Sequence, residues 1–384
     1  MHPHVSAHAA MPLRHFAPVA DGPSSRDWYR VHRSTCMDMN APGSSPLALP
    51  LGYESLRRSI AWADGGNRST LVITGKDAVG FVDHFTTAAL LRLAPGEGTH
   101  GFFTDAKGWV LALSHILRTQ EGLWIDAPAG MARMLHEHLE HYHIREQMEC
   151  IDASATRVSF LVAGPQAAEW LGGQGSDHHR LIASDEQALP SQVLHHVQGM
   201  LGGMQATVVR VDWVGAVGFM VQVAEADRQR FATFMRAAGI TEAGFDCIHT
   251  ARIEEGHLQP ADILPKTLPQ ECGMDHIAIS FTKGCYLGQE TVARIDALGH
   301  VNRRVVAIAI NASTAPPVGA TVRCRGELIG SVTSSCVSPQ LGQALGLAML
   351  FVKGLAPSME LEVDGVAARV VTVPLASVAG ADHS

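Results

Sequence analysis

The sequence predicts an α+β body followed by a small antiparallel β-barrel, and three observations carry that prediction. Helix-like and strand-like segments alternate up to about residue 300. From Arg303 onward only strand-like, β-branched runs remain. Gly and Pro turns interrupt those runs at short intervals, as a closed meander of strands requires. The 384 residues suffice for two or three domains at roughly 100–200 residues each.

Taken in order, residues 1–48 are rich in His, Pro, Ser, Ala and Met, lack apolar periodicity and are expected to form a disordered extension. No secretory h-region occurs there, and Met37 and Met39 are alternative starts. Globular patterning begins at Leu49. Leu71–Thr74 reads as a strand. Asp77 is placed to cap a helix in which Val79, Val82 and Phe85 recur at helical spacing. GWVLALSHIL and LWIDA read as a hairpin turning over Arg118–Gly122. Residues 129–143 form an amphipathic pattern with Met131, Met134, Leu135, His138, Leu139 and Tyr142 on one face. Val158–Val162 is a strand entering a Gly-Pro turn and a helix. Residues 172–200 are expected to be loops with a short strand. TVVRVDWVGAVGFMVQV reads as two strands about a Gly turn, followed by helices at Arg228–Ala238 and Cys247–Gly256. An irregular, Pro-rich stretch spans Leu258–Glu271, and TVARI is helix-like. The expected boundaries are 49–300 for the α+β region, 301–376 for the barrel and 377–384 for a tail.

The net charge of −8 argues against a general nucleic-acid binder. No run approaches the ~18 apolar residues of a membrane helix. Seven widely spaced cysteines, an odd number without CxxC, fit a reducing cytoplasm and give no zinc spacing. The chain has neither GxxxxGK[ST] nor GxSxG. Gly172-Gly173-Gln174-Gly175 follows a helix where a dinucleotide loop would open one. His136-Glu137-His138-Leu139-Glu140-His141 is not HExxH and reads as a solvated helix face; Asp177-His178-His179 and His195-His196 read as loop surface.

The segment FTKGCYLGQETVARI stands apart. A nearby lysine and a helix N-terminus both favour a thiolate, so Cys285, beside Lys283 and ahead of a helix near Gly288, is a candidate functional thiol. Gly284 and Gly288 permit positive φ and close backbone approach. Gln289 and Glu290 can hydrogen-bond a polar heterocycle. A buried cysteine in a domain-joining turn is the alternative. A cysteine hydrolase using His257 or His276 as base is a weaker one.

The run Lys283-Gly284-Cys285-Tyr286-Leu287-Gly288-Gln289-Glu290 resembles the K-G-C-Y-x-G-Q-E signature of the YgfZ family, folate-binding-type proteins of iron–sulfur assembly and repair. That family is related to the glycine-cleavage T-protein, an aminomethyltransferase. The likeness extends over about Tyr53–Val373. It includes GKDAVGFVDHFTT, Leu93–Gly96, FLVAGPQA, Arg252-Ile253-Glu254-Glu255-Gly256, Pro269-Gln270-Glu271 and IGSVTSS. It implies a three-domain ring with two interwoven α+β domains and a C-terminal antiparallel β-barrel. It also implies a tetrahydrofolate-type ligand, a monomer, and iron–sulfur client or assembly proteins as partners. By the same resemblance Arg252 and Glu254 join the motif as ligand-binding candidates. Where the transferase has N-x-x-G-G-x-x-D-D-L, this chain runs from Asp105 to Ser114 with Ala112 and Leu113 at the acidic positions. Its pterin-holding glutamate is matched by Ala216. The expectation is therefore an iron–sulfur accessory protein acting through Cys285, with folate-dependent aminomethyl transfer as the alternative.

Overall fold

The structure, a computed structural model, describes residues 49–66, 68–173, 181–183, 188–351 and 359–375. The expected disordered extension, the 377–384 tail and the His178-His179 pair lie outside these residues.

Helix α1 (Tyr53–Arg58) leads into β1 (Ala61–Asp64). A five-stranded antiparallel sheet of order β3-β4-β5-β2-β6 is then completed without interruption. Its elements are β2 (Ser69–Thr74), α2 (Ala78–Asp83), β3 (Gly98–Thr104), β4 (Val110–Arg118), β5 (Gly122–Ala127), α3 (Ala132–Tyr142) and β6 (Glu149–Asp152). The chain continues through β7 (Arg157–Ala163), α4 (Ala167–Leu171), β8 (Ile182–Ala183), β9 (His196–Leu201), β10 (Met204–Val211), β11 (Gly218–Ala224), α5 (Arg228–Ala237) and β12 (Thr241–Glu242). These join β1 in a seven-stranded sheet of order β12-β1-β7-β11-β10-β9-β8. Strand β1 thus precedes one domain in sequence and belongs to the other, which is the expected interweaving. Helices α6 (Phe245–Glu254), α7 (Asp275–Ala278) and α8 (Gln289–Leu298) lead to β13 (Arg303–Ile310), β14 (Thr321–Cys324), β15 (Glu327–Ser338), β16 (Gln343–Phe351), β17 (Glu360–Val363) and β18 (Val366–Val371). The last six close into a barrel in the order β13-β16-β15-β14-β17-β18.

Side-chain alternation in β4 decides what faces what. Ala112 and Ile116 point into the core of the first sheet, with Leu71, Ile73, Leu123 and Ile125. Leu117 points the other way, into a core shared by the two sheets that holds Trp124, Leu161, Val209 and Met220. Leu113, on that second face, packs toward Phe102, Tyr286 and the barrel strand residues Leu345 and Leu347. Each such buried Leu or Ile contributes about 1.5–3 kcal/mol. Helix α3 buries Leu135 and Leu139 on the expected face, and His138 stacks edge-on to Phe85 from it.

Two local expectations change. Asp77 does precede α2, but its side chain makes no cap; Oδ2 accepts the Gln147 N–H at 2.7 Å instead. His196 is not loop surface: it lies on β9, pairs in register with Val209 and is 7% exposed, because β9 runs on nearly to His195. Among the described residues no helix is long and apolar enough to cross a membrane.

Candidate functional site

The Cys285 motif is built as a clamp. The Lys283 ammonium donates to the carbonyls of Asp83, Thr86 (3.0 Å) and Ala88 (2.7 Å) and lies 3.2 Å from Asp83 Oδ2. Its side chain is only 3% exposed. Burial draws its pKa down, and the Asp83 charge opposes that. The Leu287 N–H donates to His84 O, and Leu287 O accepts from Thr104 Oγ1 at 2.6 Å. Gly288, at φ +83°, seats the motif on the β3–β4 turn: a Cβ there would come 2.5 Å from Asp105 O and 2.8 Å from Gly108 Cα. Gly284 meets no such demand, since a Cβ at that position has no neighbour within 4 Å. Tyr286 is buried and its hydroxyl pKa is pushed up to about 12 by that burial, while its N–H donates to Gln289 Oε1. Cys285 and Glu290 are exposed, and no hydrogen bond among the described residues joins Cys285 to His257 or His276.

Arg252 and Glu254 lie in the seam between α6 and the barrel. Arg252 donates to Asp262 Oδ2 (2.9 Å), Ser334 Oγ (2.7 Å) and His257 O (3.0 Å). Glu254, fully buried, accepts from Tyr53 (2.6 Å), Arg57 (2.5 Å) and Ser338 (2.5 Å). Their partners are protein groups, as buried charges require.

A second constellation was not anticipated. On the second face of the first sheet, β-register sets His115 opposite both His100 and Asp126. Asp126 Oδ2 is 3.1 Å from His115 Nδ1, and Arg68 Nε donates to both Asp126 oxygens at 2.9 and 2.8 Å. Trp213, from the β10–β11 connection, stacks on His115 with centroids 5.4 Å apart and 25° between planes; the Arg68 guanidinium lies 4.9 Å from the indole. His257, just past α6, stands 5.6 Å from Trp213 and 6.4 Å from His115. His100 meets His115 edge-on at 5.1 Å.

Electrostatics fixes the charge states. Burial raises the Asp126 pKa, but the Arg68 charge and the His115 hydrogen bond more than offset it, so the carboxylate stays ionised. Burial, reinforced by neighbouring imidazoles, pushes His100 down to about 3 and His257 well below its usual range. Both are neutral at pH 7. The His100 Nδ1 and Trp213 Nε1 atoms are sealed without a partner. Buried polar atoms of this kind are uncommon in native proteins. The Arg68 side chain keeps part of its surface open, so the cluster communicates with solvent there.

Of the acidic positions of the transferase, Ala112 is turned into the first-domain core and Leu113 alone faces the centre. The position matched by Ala216 also has no carboxylate, yet Glu255 from the end of α6 presents Oε1 where a Cβ on the adjacent Gly215 would sit. Among the described residues no three His, Cys, Asp or Glu groups converge as metal ligands.

The GCVT N-terminal domain family model matches residues 52–283, and the glycine cleavage T-protein C-terminal barrel domain matches 303–376. An aminomethyltransferase of Picosynechococcus sp. is 24% identical, over 85% of this chain and 89% of its own. A probable aminomethyltransferase of Natronomonas pharaonis is also 24% identical, over 81% and 85%. The crystal structure of the glycine cleavage system aminomethyltransferase T from Bartonella henselae superposes with TM-score 0.74 at 19% identity, covering 91% of this chain and 97% of that one; it shows the same fold. These relatives overturn the expected accessory role in iron–sulfur assembly or repair: they are named for aminomethyl transfer, the alternative reading, and they give the expected iron–sulfur client proteins no support. The T-protein half of the resemblance stands. Aminomethyltransferases of this kind use tetrahydrofolate, in keeping with the cofactor expected.

Proposed function

The chain belongs to the GCVT N-terminal domain family, and on that premise we propose that it is a folate-dependent aminomethyltransferase of the glycine-cleavage T-protein type. The tetrahydrofolate ring enters the Arg68–His115–Trp213–His257 cluster. The observation that carries this reading is the cluster itself: the aromatic faces of His115, Trp213 and His257, gathered beside the partly exposed Arg68 guanidinium, suit a flat, polar heterocycle. Residues 49–300 then supply the folate region and 301–376 the barrel that closes it. The motif Lys283–Glu290 holds the β3–β4 turn against α8.

Calorimetric titration with tetrahydrofolate, followed by turnover with an aminomethyl donor, tests the reading. Micromolar binding with transfer supports it; absence of binding overturns it. Cys285→Ala belongs in the same experiment. Loss of transfer at an unchanged melting temperature supports a catalytic thiol, whereas retained transfer limits Cys285 to the turn.

A further inference from the structure

We propose that His115, held by Asp126, is the proton acceptor of this site and takes over the work of the carboxylates missing at Ala112 and Leu113. The proposal rests on the folate-transferase reading above.

The geometry is that of an oriented imidazole. An ionised carboxylate only accepts hydrogen bonds, so the 3.1 Å contact to Asp126 Oδ2 requires the proton on His115 Nδ1. Nε2 is then the basic atom. Among the described residues it has no hydrogen-bond partner, and it is not one of the sealed, unpartnered atoms, so it opens on the cluster. Arg68 keeps Asp126 charged, and the Trp213 face fixes the ring plane. A base held in one tautomer by a buried carboxylate is the arrangement that hydrolase triads use, reached here on a different scaffold.

Its place on the strand matters as much. Leu113 and His115 are successive side chains on one face of β4, one pleat repeat of about 6.8 Å apart. The strand that lacks an acid at Leu113 therefore presents a base at the next inward position. In the transfer, the folate N–H attacks the methylene carbon of a donor X–CH2–NH2. The new N–C bond forms as the X–C bond breaks. The N–H proton passes to His115 Nε2, and the imidazolium, stabilised by Asp126, returns it to the departing X as XH. No oxidant or further reactant enters.

The charged and titratable groups facing His115 are His100 from β3, Asp126 from β5, Arg68 ahead of β2 and His257 behind α6. Burial keeps His100 and His257 neutral, so neither competes for the proton as a cation.

His115→Asn retains a donor for Asp126 and lacks the basic nitrogen. It should bind tetrahydrofolate up to about 10-fold more weakly, for the loss of one aromatic face, and lose transfer at saturating folate by 100-fold or more, the size of a general-base contribution. Transfer within a few-fold of wild type in a folded, folate-binding His115→Asn protein overturns the proposal and leaves the functional reading intact. A wild type that binds no tetrahydrofolate, or binds it without transfer, overturns both. Imidazole-nitrogen NMR of the wild type needs no variant: tetrahydrofolate should shift His115 Nε2 while the proton stays on Nδ1. An unmoved Nε2 in folate-bound protein counts against the proposal.

Discussion

The Cys285 turn and the His115 cluster differ in how they are made. The turn is contiguous in sequence, Lys283 to Glu290, and most of its side chains are spent holding protein to protein. The cluster is drawn from residues 68 to 257, across both sheets, and leaves ring nitrogens unused. A dense motif can thus be a fastening, while sparse residues joined only by topology leave buried polar atoms without a protein partner. Variants at the turn should therefore cost stability, and variants in the cluster should cost function.

Four experiments sharpen or break that contrast, from the largest effect down. Lys283→Met leaves the Asp83 carboxylate and three carbonyls facing an apolar chain. Removing one partner of a buried pair costs about 3–5 kcal/mol, so urea unfolding should show a loss of that size. A loss under 1 kcal/mol would mean that the clamp is not sustained in solution. Gly288→Ala combines a positive φ with a 2.5 Å approach to Asp105 O and should cost about 2–3 kcal/mol. Thermal melts equal to wild type would show that the two turns separate easily.

Acid comes next. His196 and His249 are held near pKa 4 and His100 near 3, in each case chiefly by burial, against an ordinary value of 6.5. The unfolded chain binds these protons first, so stability is complete above about pH 6.5 and is lost as pH falls toward 4. A melting temperature flat from pH 7 to 4.5 contradicts this. The smallest effect is at Gly284, where Ala meets open space and should change stability by no more than about 0.5 kcal/mol. A larger change would assign that position a contact absent from the structure.

Much of the fold was legible because its signals are local. The β4–β5 hairpin, helix α3 and the barrel strands each follow from periodicity and turn residues within a short window. The clamp was half legible. The spacing around Cys285 pointed to a special turn before a helix, but the reach of Lys283 to Asp83 spans about two hundred residues and has no local signature. The cluster was missed for the same reason, with one exception. Once the hairpin turn is placed at Arg118–Gly122, counting back along both strands sets His115 opposite Asp126. An acid facing a histidine across a hairpin was visible in the sequence; Arg68, Trp213 and His257 were not, because only the packing of the two sheets brings them there. His196 was misread because a His-His pair in a polar stretch resembles surface, while the alternation of β9 begins one residue later.

Strand β1 has a consequence for how the chain is made. Its neighbours are Ala163 of β7 and Thr241 of β12, so Ala61–Ala63 leave the ribosome long before either partner exists. At about 5–20 residues per second, the wait for Thr241 is on the order of ten to forty seconds. The five-stranded sheet has no such dependence, since all its strands lie between Ser69 and Asp152. One domain is thus finished while the first strand of the other, carrying Trp62, still trails unpaired beside it, open to the edge-to-edge association that unpaired strands invite.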